Sequence, residues 1–304
     1  MRSVKPMTWR HNTEKIRLDK AVSSQAQTLS RAEVKSLIES GHVRVNGETK
    51  KPSHTLQEGD EVTLTIPSVP ERPLEHVPMN LDIIYEDESL IVVNKPSGII
   101  THPAQTTDEA TLLHGLLDKL DPAAFSKPER AGVVHRLDRH TSGLLVFARN
   151  EDTLASLQGA LANREVKRQY LALVHGPFTH AKGTIDAPIG RHPVKRHLMS
   201  VVAEGKASVT HFSIYKRFEA HTLLECSLQS GRTHQIRVHM QYIDHPVVGD
   251  EMYGRKSDAN PFGQYLHAYR LEFTHPLSNA PMTFEAPLPE AFAEKLRMLG
   301  DAHA

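Results

Sequence analysis

Residues 133–149 read VVHRLDRHTSGLLVFAR. Two apolar runs, Val133-Val134 and residues 144–148, flank a polar knot of His135, Arg136, Asp138, Arg139 and His140. Short apolar runs bounded by turn residues have the form of buried strands, and the knot has the form of a loop between them. Four of the five polar residues can carry positive charge, and only Asp138 is a carboxylate. An acid beside cations is held in its charged form. That serves a structural turn or ion pair as well as it serves a catalytic nucleophile or general base, and the stretch alone leaves both readings open.

The same kind of run recurs on either side. LDIIYED (81–87), LIVVNK (90–95), YLALVHG (170–176), HTLLECSL (221–228) and HQIRVHM (234–240) all read as strands. Helical spacing is found in TLLHGLLDKL (111–120), DTLASLQGALAN (152–163) and AFAEKLRML (291–299). Many strands with few helices predict an α+β domain around a central mixed or antiparallel sheet. Polar knots stand at the strand ends: NKPSG (94–98), HRLDRHTSG (135–143), KRQY (167–170) and SGRTHQIR (230–237). Turns on a rigid sheet can aim several side chains at one point.

Four prolines fall within residues 67–78, which makes PSVPERPLEHVP the expected linker. It divides an N-terminal extension (1–14) and a small domain (15–66) from a large domain (79–304). In the small domain Ser30 and Glu33 have the spacing of a capping box. Val34, Leu37 and Ile38 then form one apolar helix face, and Gly41 can end the helix. Val43 and Val45 alternate with polar residues before Asn46-Gly47, a hairpin signal, and DEVTLTI supplies a last strand. The surface carries Arg31, Lys35, Arg44 and Lys50.

Composition removes several classes. Lys plus Arg equals Asp plus Glu at 36 each, so net charge offers no support for a nucleic-acid partner. Distribution does: residues 163–217 hold ten Lys or Arg against three acids, and it is the local field that attracts phosphates. No apolar run approaches the roughly 20 residues that span a bilayer, and the first ten residues do not read as a secretory signal. The single cysteine, Cys226, excludes an internal disulfide. A cytoplasmic protein without a membrane partner is expected. Glycine-rich nucleotide loops, the G-x-S-x-G elbow and H-E-x-x-H are missing from the sequence. The histidine pairs 135/140 and 234/239 are five apart, the wrong spacing for ligands stacked on one helix face. Neither a metal nor an organic cofactor is expected.

Four of these segments, in order, resemble a known family. HRLDRHTSGLLVFAR is similar to the signature of the RluA and RluD family of RNA pseudouridine synthases. NKPSGIITHPA (94–104), VKRQYLALVHG (166–176) and SGRTHQIRVHMQYIDHPVVGDEMYG (230–254) are similar to its other motifs. Ser230 and Asp244 depart from the common pattern. The small domain resembles the alpha-L RNA-binding module first seen in a small-subunit ribosomal protein, the arrangement of the RluD-like branch. The resemblance implies a pseudouridine-synthase fold and the isomerisation of uridine to pseudouridine in structured RNA, with large-subunit ribosomal RNA the first choice of partner and transfer RNA the second. It implies that Asp138 is the catalytic aspartate, Arg232 its ion-pair partner, and Tyr170 the residue that stacks on the target base. Arg136 would replace the flipped base in the RNA stack, Ile236 would pack on the uracil, and Lys95 and His102 would shape the pocket or hold phosphate. A monomer is expected. The alternatives are a non-catalytic RNA-binding ribosome-assembly factor on the same fold, which would bind without turnover, and an RNA methyltransferase, which would need a methyl-donor site that no glycine-rich turn suggests.

Overall fold

A computed structural model describes residues 6–12, 14–26, 29, 31–66, 74–103 and 109–300. The chain divides into two compact units, Met1–Pro73 and Leu74–Ala304. Ser30 of the expected capping box and residues 67–73 of the proline-rich segment lie outside the described residues.

The first unit contains strands β1 (Met7–Arg10), β2 (Ile16–Arg17), β3 (Val43–Val45), β4 (Glu48–Thr49), β5 (Thr55–Leu56) and β6 (Glu61–Leu64), with helices α1 (Leu18–Gln25) and α2 (Arg31–Glu39). The order β1-β6-β3-β4 forms one sheet, and β2 pairs with β5. Val34 and Ile38 of α2 join Leu18 and Val22 of α1 against Val43, Val45, Val62 and Leu64 in one core. The hairpin between β3 and β4 turns through Asn46 and Gly47, both at positive φ (51° and 81°), as a two-residue primed turn requires.

The second unit is built on nine strands. They are β7 (Asp82–Glu86), β8 (Leu90–Lys95), β9 (Ser142–Ala148), β10 (Lys167–His175) and β11 (Lys182–Asp186), followed by a small hairpin of β12 (Ile189–Arg191) and β13 (Met199–Val201) outside the sheet. Then come β14 (Val209–Arg217), β15 (His221–Leu228), β16 (Leu266–Thr274) and β17 (Pro281–Glu285). The order is β11-β14-β15-β10-β16-β9-β8-β7, with β17 also on β16. All neighbours are antiparallel except β16 and β9, so the sheet is mixed, as expected. That parallel seam rests on two pairs, His267 with Ser142 and Ala268 with Gly143. Gly143 sits at φ +111°, and a Cβ there would lie 2.2 Å from the Ala268 carbonyl oxygen. The glycine of the opening stretch is what allows the two backbones to meet.

Helices α3 (Leu112–Gly115), α4 (Glu151–Ala162), α5 (Gln235–Tyr242) and α6 (Glu290–Leu299) complete the unit. Helix α4 starts where the Asn150 side chain accepts the Thr153 amide, as an N-cap does. Two expectations fail. The helix expected over 111–120 is one turn long, because the chain leaves it at Leu116 for a succession of tight turns. HQIRVHM is not a strand but most of α5. Its alternation of Ile236, Val238 and Met240 with Arg237 and His239 mimics period two. Its first six residues, 235–240, are all buried, so the polar positions among them are inside as well.

Candidate active site

The loop 135–141 bears Asp138 and leads into β9. Val133, before the loop, forms an antiparallel bridge with Phe147 of β9 after it. Its backbone is held by the NKPSG turn and the residues after it. Thr101 Oγ1 donates to the Leu137 carbonyl (2.9 Å) and accepts from the Leu137 amide (3.3 Å). The Gly98 amide (2.9 Å) and Lys95 Nζ (3.0 Å) both donate to the Arg139 carbonyl, and Ser97 Oγ donates to that of His140 (3.2 Å). Arg139 itself pairs with Glu109.

Asp138 points into a cavity of about 520 Å³. Its Oδ2 accepts from Arg237 Nη1 at 2.9 Å, and its Oδ1 is 3.8 Å from His234 Nε2. Arg237 is only 4% exposed and would be costly to bury alone. It is balanced by a second carboxylate: Nε and Nη2 donate to Asp250 at 2.6 and 2.9 Å. Asp250, itself buried, also accepts the amides of Met252 and Tyr253. Burial works to lower the Arg237 pKa, but the hydrogen bonds and charge of Asp250, joined by Asp138, raise it on balance. The Tyr253 ring lies 5.1 Å from the guanidinium carbon and its hydroxyl meets His234 Nδ1. Arg237 is thus a fixed cation, aimed at Asp138 by a group behind it.

The ion-pair partner of Asp138 is therefore Arg237 and not Arg232. His234 takes a left-handed conformation (φ 57°) and turns the chain into α5, whose first turn presents Ile236 and Arg237 to the cavity. Arg232, before that turn, is exposed; its Nε donates to the Ala207 carbonyl at 3.3 Å. Arg237 lies in the same motif as Arg232, and the choice between two arginines five apart depends on where the helix begins. Asp250 was also within the quoted motif, with no role attached.

Tyr170 and Ile236 line the cavity, both nearly buried. Burial raises the Tyr170 pKa, and the phenol is a proton donor rather than a phenolate at neutral pH. Arg136 lines the cavity, exposed and held by no ion pair among the described residues. Lys95 and His102 do not line the cavity. Lys95 is fully buried, and its three donors go to the carbonyls of Pro96, Ile99 and Arg139. Burial pushes its pKa down to about 7, against the attraction of Asp138. It ties the loop down rather than meeting a ligand. His102 accepts from Arg130 through Nε2; burial, with Arg136 and Arg130 near, pushes its pKa to about 4.

The cavity wall also includes Arg164, Arg168, His135 and Arg232, and Asp138 is the sole carboxylate among its described lining residues. Arg164 and Arg168 come from the basic segment 163–217, whose charge excess was the available signal. In the first unit Arg44 is exposed. Lys35 lies 3.7 Å from Glu39 and Lys50 2.6 Å from Glu48. The side chain of Arg31 lies outside the described residues. No cluster of His, Cys, Asp or Glu able to hold a metal occurs among the described residues, and none of their helices is long and apolar enough to cross a membrane.

A carboxylate fixed against a buried arginine, in a cavity whose other charged lining residues are cations, fits the class of enzymes that act on a polyanion. The chain belongs to the RNA pseudouridylate synthase family: the family profile matches residues 89–242, and an S4 domain matches residues 16–62. It is an isomerase of that class. An uncharacterised RNA pseudouridine synthase of Bacillus subtilis is 45% identical, over 93% of this chain and 94% of that protein. Ribosomal large subunit pseudouridine synthase D of Xylella fastidiosa is 41% identical, over 95% of this chain and 90% of that one. Among solved structures, human RNA pseudouridylate synthase domain containing 1 is similar with a TM-score of 0.56 at 26% identity, covering 74% of this chain and 97% of that one.

Proposed function

We propose that the enzyme converts uridine to pseudouridine in large-subunit ribosomal RNA, in the cytoplasm, with Asp138 as the catalytic carboxylate. The observation that carries the assignment of Asp138 is the Asp138–Arg237–Asp250 array at the cavity wall. The full-length similarity to ribosomal large subunit pseudouridine synthases D supports the choice of RNA.

The net reaction breaks the bond between uracil N1 and ribose C1′ and forms one between C5 and C1′. The C5 proton leaves and N1 gains a proton. A carboxylate can form and release a covalent adduct with the sugar or the base near neutral pH. Arg237, locked by Asp250, supplies a countercharge that does not move as charge develops, which is how preorganised groups lower a barrier. Tyr170 and Ile236 hold the uracil between an aromatic and an aliphatic face while it turns. Removing a base from the stack costs a few kcal/mol. Arg136, an exposed planar cation of the cavity lining, fills the vacated place. The N-terminal domain, expected over 15–66, also takes in β1, which pairs with β6, and it carries Arg31, Lys35, Arg44 and Lys50 as its RNA-binding residues. The segment 67–78 is the linker, and 79–304 carries the chemistry.

Tritium release from RNA labelled at uridine C5 tests this reading. Wild type should release tritium from large-subunit RNA, and Asp138→Ala should release none while still binding. Release by the variant sinks the role of Asp138. Binding without release by wild type would make the chain an assembly factor, and release from transfer RNA alone would move the substrate.

A further inference from the structure

Arg168 is a mostly buried cation with no carboxylate partner among the described residues. It is 7% exposed and lines the cavity. Among the described residues its Nε has no hydrogen-bond partner, and no ion pair reaches the side chain. Arg237, equally buried, is balanced by two carboxylates; Arg168 has none. Its Nε is shut off from water and the guanidinium faces the cavity, so an anion entering there would find a cation that no carboxylate already occupies.

The surroundings are built for such a ligand. Arg168 and Tyr170 are two apart on β10 and so share one face of the sheet. The guanidinium packs against Gly231, where a Cβ would stand 2.8 Å from Nη1, so the glycine brings its backbone amide close to the Arg168 fork. The amides of Gly231 and Thr233, on the approach to α5, have no internal acceptor. His135, 8% exposed, lines the same wall with neither ring nitrogen partnered. Burial, and then Arg168, pushes its pKa to about 3, so it stands there as a neutral ring with one N–H to donate. Arg164 and Arg232 line the same cavity. A neutral uracil carbonyl would not balance the charge of Arg168. A phosphate oxygen would, and the planar fork of a guanidinium matches a phosphate bidentately.

We propose that Arg168, with His135 and the Gly231 amide, binds one backbone phosphate of the RNA strand beside the target uridine, clamping the strand at the inner wall while the base enters. The proposal rests on the reading of the cavity as the uridine-isomerising site.

The test uses the full chain and an RNA carrying the target uridine. Each flanking phosphate is replaced in turn by a neutral methylphosphonate. Wild type, Arg168→Gln and Arg168→Lys are compared by tritium release and by equilibrium binding. One linkage should raise the wild-type KM about tenfold, as loss of one charge-assisted contact does, with a smaller change in kcat. Arg168→Gln should show the same rise on unmodified RNA and no further rise at that linkage. Its dependence of log K on log salt should be shallower by about 0.7, the value for one phosphate of a single strand. Arg168→Lys, which keeps charge without the fork, should fall between the two, and it replaces Arg168→Gln in the comparison if the glutamine variant does not fold. Equal sensitivity of wild type and variant to every linkage, or an unchanged salt slope, overturns the proposal. If wild type releases no tritium, the enzymatic reading fails, and the binding arm still decides whether Arg168 holds phosphate.

Discussion

The substitution Asp250→Asn isolates the group behind the arginine. Asp250 has a fully buried side chain and accepts four hydrogen bonds: two from Arg237 and the amides of Met252 and Tyr253. Asparagine keeps the shape but replaces one acceptor oxygen by a donor. With its oxygen in the place of Oδ1, it retains the two amides and Nη2, and it turns an NH₂ group against Arg237 Nε. The guanidinium then has one carboxylate instead of two. Breaking a buried pair costs about 3–5 kcal/mol, and the three retained contacts place this change near the lower end, about 3 kcal/mol. A denaturation midpoint measured on the full chain should fall accordingly. In activity, Asp250 touches nothing in the cavity, so its loss acts through the position of Arg237 and hence on Asp138. The expected result is a kcat lower by about a hundredfold, equivalent to about 2.7 kcal/mol, with KM for RNA nearly unchanged. An unchanged midpoint together with wild-type kcat, or a rise in KM alone, would refute the view that Asp250 locks the catalytic pair.

Arg237→Ala should remove turnover, whereas Arg232→Ala should keep kcat within a few-fold and weaken RNA binding with a shallower salt slope; the reverse pattern in tritium release would restore Arg232 as the partner. Gly143→Ala places a Cβ 2.2 Å from the Ala268 oxygen at φ +111°. It should lower stability by about 3 kcal/mol, and a wild-type melting curve would contradict the seam. His267 is fully buried, with Nδ1 on Ser142 Oγ and Nε2 on the Ala286 carbonyl, and burial pushes its pKa from 6.5 to about 4. Between those values the unfolded chain takes up a proton that the native ring refuses. Stability is therefore intact above pH 6.5 and falls toward pH 4, by up to about 1.4 kcal/mol per pH unit from this residue. Urea midpoints at pH 7 and pH 5 should differ less in His267→Gln than in wild type; equal differences would show that His267 does not titrate as argued.

The parts of the fold that sequence made legible are those whose burial is simple. LIVVNK and HTLLECSL are β8 and β15 with the bounds read from the chain, because each is an apolar run with turns at both ends. Asn46-Gly47 is the hairpin it announced, because its backbone conformation is a local property. Helix α5 was illegible for the opposite reason. Arg237 is inside because Asp138 and Asp250 balance it, and His239 because Thr210 and the Ala187 carbonyl partner it. A polar residue whose partner is remote looks, in sequence, like a residue facing water. The site divides in the same way. Asp138 stood out through its own neighbours in the chain. Its true partner, the support of that partner and the unpaired Arg168 are relations between distant segments. The burial of Lys95 likewise depends on the Arg139 carbonyl, supplied by a separate loop.

The parallel seam between β9 and β16 also bears on how the enzyme comes into being. β9 and β10 both pair with β16, and β16 lies near the end of the chain, at Leu266–Thr274. Proteins emerge from the ribosome N-terminus first, at about 5–20 residues per second. Asp138 is therefore made well before the strand that joins its half of the sheet to the half carrying Tyr170. Until residues 266–274 arrive, β9 and β10 each lack a neighbour, and open edges of that kind invite pairing with other chains. A nascent chain stopped before β16 would carry Asp138, Arg237 and Asp250 and still have no closed cavity.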